Sequence, residues 1–152
     1  MPCACAVLAL SPSVLADEDA AREIRLLIRD ASRALQAGNA PLFLAAFDKR
    51  AFSDFPMLRD EVTALTAQRR IASSVESGSP VGAGGARTVR VDWLLDLTPK
   101  IDPGPLERRH ESIVMTVAKR GGRWRVIGMQ PAGFFRSVRR LPPRGGVSAA
   151  DP

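Results

Sequence analysis

The chain has 152 residues, 45% of them hydrophobic and 25% charged, with a formal net charge of +6. That length suits one domain of roughly 100–150 residues, and the composition excludes both wholesale disorder and a chain built of membrane spans. The positive residues fall in scattered pairs (Arg69-Arg70, Arg108-Arg109, Lys119-Arg120, Arg139-Arg140) without an RNP-type aromatic motif, a zinc-knuckle spacing or a helix-turn-helix pattern, so a basic soluble surface is expected and a nucleic-acid partner is not.

Residues 1–16 stand apart from the rest. Cys5 to Leu15 is mostly small and apolar, Val14-Leu15-Ala16 forms a cleavage-like end, and the acidic run Asp17-Glu18-Asp19 follows directly. The stretch reads as a signal-peptide remnant, although no Lys or Arg precedes the apolar run. It predicts export, to a bacterial periplasm or outside the cell, and a mature chain without a transmembrane segment. Both cysteines, Cys3 and Cys5, lie within it. Their removal leaves no thiol, and His110 is the only histidine, so neither a metal site nor a cofactor is expected.

From Asp19 the period becomes helical, with Ile24, Leu27, Ile28, Ala31 and Leu35 at three- and four-residue steps up to a C-terminal Gly38. Asn39 then caps a short helix with Pro41 in its first turn, and a third helix is predicted from about Pro56 to Arg69, with Leu58, Val62 and Leu65 on one stripe. Strands follow: Ile71 to Ser77; the Gly-rich loop GSPVGAGGA; a long strand with Val89, Val91, Trp93, Leu95 and Leu97 on one face; Arg108 to Lys119; and RWRVIGMQ after the turn RGG. Helices followed by an antiparallel meander give an α+β class. The domain is expected over residues 17–136, with a disordered Pro/Gly/Arg-rich tail over 137–152.

The stretches AGNAPLFLAAFD, VDWLLDL, RRHESIVMTVAKRGGRWRV and the closing GFF resemble the nuclear transport factor 2-like superfamily, also called the SnoaL-like or cystatin-like α+β cone. The Gly38-Asn39 break and the short helix ending in Phe47-Asp48 look like that family's opening, and the GGRWRV hairpin looks like its last two strands. The likeness spans Asp17 to Phe135. It implies N-terminal helices packed on a curved antiparallel sheet of about four strands. Similar proteins include ketosteroid isomerases, scytalone dehydratase-like lyases, polyketide cyclases and domains that only bind or dimerise, so the fold by itself does not choose an activity. The resemblance also implies where a site would lie: between the helices and the concave sheet face, with Asp or His as proton acceptor in the enzymes.

Strand parity decides which side chains reach that space. The apolar odd positions of the long strand belong to the covered face, which sends Asp92 and Asp96 outward. On the third strand Ile113, Met115 and Val117 go inward and His110 outward, while Arg109 and Glu111 follow the inward face to a pocket mouth. Ser73 is a polar group on an apolar face, and a hydroxyl satisfied by backbone is the simpler reading of it. Without an inward Asp or His, and with no Tyr in the chain, the acid–base machinery of an isomerase is not assembled.

The expected function is therefore a non-catalytic, exported small-ligand-binding or protein-interaction domain. Its ligand side chains would be Phe43, Phe47, Leu58, Ser73, Trp93, Met115 and Trp124, lining a cone for a small hydrophobic ligand unless they simply fill it. Leu94 and Val114 fit a homodimer through the outer sheet face. The alternative is a cofactor-independent lyase or isomerase with Glu111 or Asp92 as base. A weaker third reading is a basic nucleic-acid or anionic-surface binder acting through the Arg-rich tail.

Overall fold

The computed structural model describes residues 11–101 and 103–137. Three helices come first, α1 (Pro12–Gln36), α2 (Ala40–Leu44) and α3 (Phe55–Gln68), then four strands, β1 (Arg69–Ser77), β2 (Ala86–Pro99), β3 (Glu107–Arg120) and β4 (Arg123–Gln130). The expected α+β order is the observed one. Helix α1 begins ahead of Asp19, where the apolar period starts, because Pro12 occupies the first turn, in which its missing N–H costs nothing. The expected cleavage point after Ala16 thus falls inside α1, while Cys3 and Cys5 lie outside the described residues.

Local chemistry sets the helix ends. Helix α1 stops at Gln36 and Gly38 takes φ +69°, the left-handed conformation that favours glycine just past a helix. Asn39 then accepts the Leu42 N–H on its Oδ1 at 3.0 Å and starts α2. No helix among the described residues is long and apolar enough to cross a membrane.

The strands form one antiparallel sheet in the order β1-β2-β3-β4. Alternation holds along β2: Val89, Val91, Trp93, Leu95 and Leu97 are buried, and Asp92 between them is exposed. On β3 Ile113, Met115 and Val117 are buried in the same way. On β4 the pairing shifts between Thr116 and Val117, so Ile127 is the extra residue of a bulge. The bulge inverts parity, which is why Trp124 and Val126 face inward before it and Met129 after it. The three helices cover this inward face with Ile24, Ile28 and Leu35, with Phe43, and with Leu58, Val62 and Leu65.

Two polar connections cross the layers. The indole N–H of Trp93 donates to Ser73 Oγ at 2.9 Å, and that oxygen lies 2.7 Å from Ser32 Oγ on α1. Ser73 is therefore satisfied by side chains and not by backbone, and Ser32, buried on the helix face, is a partner that strand parity does not reveal. At the other end of the cone, buried Arg87 donates to Asp17 Oδ1 at 2.9 Å and to the carbonyls of Gly84 and Ala86, which satisfies a cation that burial would otherwise penalise.

Truncating Trp93 to Ala removes both its volume and its anchor and is expected to lower unfolding free energy by about 3–5 kcal/mol. Trp93→Phe retains most of the ring contacts, leaves Ser32 and Ser73 to satisfy each other, and should cost about 1–2 kcal/mol. Urea unfolding of both variants measures the difference, and equal losses would refute this division between packing and hydrogen bond.

Candidate functional site

Most of the side chains expected to line a ligand cavity are packed into the cone. Phe43, Phe47, Leu58, Trp93, Met115 and Trp124 are all buried, with Trp93 and Phe43 at 0% exposure and Met115 at 1%. Phe43 meets Phe47 in a tilted pair at a ring separation of 5.2 Å and Trp93 edge-to-face at 6.4 Å. Two further rings enter from beyond β4. Phe135 packs edge-on to Trp93 at 4.9 Å and to Phe43 at 5.0 Å, and Phe134 stands 6.4 Å from Trp93. Neither was among the expected lining residues. Their signals in the sequence are the closing GFF of the resemblance and a pair of large apolar residues in an otherwise Pro-, Gly- and Arg-rich segment. Trp124 lies apart from this cluster, beneath Arg87 and Lys119, each 5.9 Å from its ring centre.

The candidate bases stand away from the cone. Asp92 is exposed on the outer sheet face opposite Glu76 in the register, and His110 is exposed on the same face. Asp96, also outward, takes a two-pronged bond from Arg108 at 2.7 and 2.9 Å, and that bond holds its carboxyl below the usual carboxylate range. Glu111 keeps inward parity but is exposed, lining a cleft of about 400 Å³ with Glu107, Arg109 and Phe134. The buried polar residues among those described are Ser32, Thr66 and Arg87. None of them is a carboxylate or an imidazole, the groups that most often serve as a general base.

A polar clasp closes the mouth of the cone where Arg109 and Glu111 were expected. Arg109 Nη1 donates to the carbonyls of Phe134 at 2.9 Å and Arg136 at 2.6 Å, and its Nε donates to Glu107 at 2.7 Å. From α3, Glu61 Oε2 accepts both the backbone N–H and the hydroxyl of Ser137, each at 2.6 Å. Those two bonds, with smaller contributions from Arg136 and Arg109, lower the Glu61 pKa. Ser137, expected to open the disordered tail, is thus tied down; residues 138–152 lie outside the described residues.

An open concavity lies elsewhere. A groove of about 810 Å³ runs between α1, α2 and the turn joining β3 to β4. Ala31, Ala34, Ala46 and Trp124 are its buried lining, and Leu26 and Leu42 stand beside them at 40% and 59% exposure. Its rim carries Arg33, Arg123 and Arg125 against Glu23 and Asp30, and Glu23 is already 3.6 Å from Lys119. The Trp124 indole N–H is the buried side-chain donor without a partner among the described residues. Sequence periodicity could not find this groove, because its residues come from three elements and several belong to the polar side of α1.

No family model matches the sequence, and no curated protein does either. Solved structures do match in shape. A protein of unknown function from Mycobacterium tuberculosis has a TM-score of 0.66 at 15% identity, covering 80% of this chain and 75% of its own. A nuclear transport factor 2-like superfamily protein from Salmonella enterica serovar Typhimurium has a TM-score of 0.61 at 11% identity, covering 84% of this chain and 98% of its own. A dehydratase candidate of the nuclear transport factor 2-like family from Streptomyces avermitilis has 0.63 at 10% identity, covering 74% and 95%. At such identities the likeness establishes the fold.

The clasp has a defined pH response. Because the Glu61 pKa is lowered on folding, its contribution is complete above the ordinary glutamate range and is lost as the pH falls through the lowered value. Protection of the Ser137 amide against hydrogen exchange, taken relative to the intrinsic rate at each pH, is therefore expected to fall on acidification, and Glu61→Gln should remove that dependence. An unchanged pH profile in the variant would contradict the assignment.

Proposed function

We propose that this chain, which has the nuclear transport factor 2-like fold, is a non-catalytic protein-interaction domain whose working surface is the groove between α1, α2 and the β3–β4 turn. One observation carries the reading: the cone is occupied by its own aromatic rings, whereas the groove presents Leu26 and Leu42 to solvent over an alanine-rich floor. Small floor residues let a partner backbone approach closely, and two exposed leucines offer walls for inserted apolar side chains. The partner is an amphipathic helix with an apolar stripe edged by carboxylates, since Arg33 and Arg123 stand on the rim while Glu23 is engaged by Lys119.

Export belongs to the same proposal, on the strength of residues 1–16, so the partner is met in a periplasm or outside the cell. A homodimer through Leu94 and Val114 would use the opposite side of the sheet from α1 and leave the groove open. The lyase or isomerase alternative finds less support, because Asp92 and Glu111 are both exposed and solvent holds neither in the desolvated setting that tunes a catalytic base.

Selection of helical peptides from a displayed library is expected to enrich sequences with leucines one turn apart and glutamates beside them. Their binding should fall roughly ten-fold or more on Leu42→Asp and weaken with added salt through Arg33 and Arg123. Leu42 is exposed, so the variant retains its fold, which circular dichroism checks. Peptides that bind wild type and Leu42→Asp equally, or a selection that enriches nothing, would sink the groove as the working surface.

A further inference from the structure

The segment after β4 differs in kind from the rest of the core. From Pro131 to Ser137 it joins no strand, and its one backbone bond outside helices and strands is internal, from the Arg136 N–H to the Gly133 carbonyl at 3.2 Å. Yet it delivers Phe134 and Phe135, 3% and 1% exposed, against Trp93 and Phe43. Besides that packing, the hydrogen bonds that hold it from outside are concentrated on two side chains, Arg109 on the carbonyls of Phe134 and Arg136, and Glu61 on Ser137. Most other apolar side chains of the cone are carried by helices or by ladder-bonded strands, whose opening would require sub-global unfolding.

Two clefts flank the segment. One, of about 160 Å³, is lined by Phe52, Met57, Leu58 and Glu61 on the α3 side. The other, of about 400 Å³, is lined by Glu107, Arg109 and Glu111 on the β3 side. The rings of Phe134 and Phe135 lie between them, and their side chains or the segment's backbone border both. Withdrawing the two rings joins the clefts over a floor of Trp93 and Phe43, giving a space in the size range of small-molecule sites.

We propose that Pro131–Ser137 is a releasable strap, latched by Arg109 and Glu61, whose two phenylalanines stand in for a ligand with fused or paired aromatic rings. The latch acts at the mouth and leaves the helices and sheet intact when it opens. A neutral two-ring aromatic replaces the edge-to-face contacts that Phe135 makes with Trp93 and Phe43, so occupancy by ligand and occupancy by strap exclude each other. The inference is independent of the groove, which lies at the other end of β3.

The test leaves both rings in place and breaks the latch, with the double variant Glu61→Ala/Arg109→Ala compared with the unaltered full chain. Naphthalene is the probe, followed by quenching of tryptophan fluorescence and by hydrogen exchange of residues 132–137. The latch variant should exchange roughly ten-fold faster in that segment while β2 and β3 stay protected, and it should bind naphthalene at least about ten-fold more tightly than wild type. Excess naphthalene should further deprotect 132–137 in the variant. Phe134→Ala/Phe135→Ala, which empties the site without touching the latch, should bind naphthalene with the latch intact. A folded latch variant that exchanges 132–137 only together with β2 and β3, or one that opens but binds no more naphthalene than wild type, would overturn the proposal. If the latch variant does not fold, exchange in wild type decides: opening of 132–137 at a lower free energy than β2 supports the strap, and opening at the same free energy overturns it.

Discussion

Burial of Trp93 is the constraint around which the molecule is arranged. It sits on a central strand at 0% exposure, and an indole there must find both ring partners and an acceptor for its N–H. The ring partners come from α2 and from beyond β4, as Phe43, Phe134 and Phe135. The acceptor comes from β1, as Ser73, whose own oxygen is shared with Ser32 on α1. One side chain thus ties together the first helix, the edge strand and the last described segment. Loss of any of these partners leaves either an apolar gap or an unpaired donor in the core.

That arrangement also fills the place where similar folds would put a site. While Phe134 and Phe135 are seated, the space beside Trp93 is taken by the cone's own rings, and the charges near its mouth are engaged in structure. Arg109 holds backbone carbonyls, Glu61 holds Ser137, and Asp96 is matched with Arg108. The groove beside α1 keeps two exposed leucines over small residues, a buried indole N–H without an acceptor among the described residues, and a rim with Arg33, Arg123 and Arg125 against Glu23 and Asp30. The closed mouth and the open groove are consequences of the same filled core. The fold resembles proteins described as dehydratases as well as proteins of unknown function.

Much of this was legible beforehand because strand parity is strict. Alternation along Val89–Leu97 required one covered face, and from that single requirement the outward positions of Asp92, Asp96 and His110 follow without further information. The same parity carries Arg87 and Arg109 inward, an apparent conflict on an apolar face that the chain order cannot resolve. Arg87 is answered by Asp17, on a helix far earlier in the chain, and Arg109 by two carbonyls of a segment with no periodicity. Ser73 was recognised as a polar group needing a partner, but its partners are also distant. The bulge at Ile127 was invisible because one extra residue in a short strand leaves no compositional trace, although it decides that Met129 joins the core.

The sequence by itself determined the element order, the class, the caps at Gly38 and Asn39, and the covered face of each long strand. These depend on backbone conformational preferences and on a burial period of two or near four residues, which neighbouring positions encode. Only the tertiary structure decided that the cone is plugged by Phe134 and Phe135, that Arg109 and Glu61 latch the plug, and that a groove opens beside α1. Each of those outcomes is set by which surfaces distant elements bring within van der Waals or hydrogen-bond range, a short-ranged and cooperative matter that no local window of residues contains.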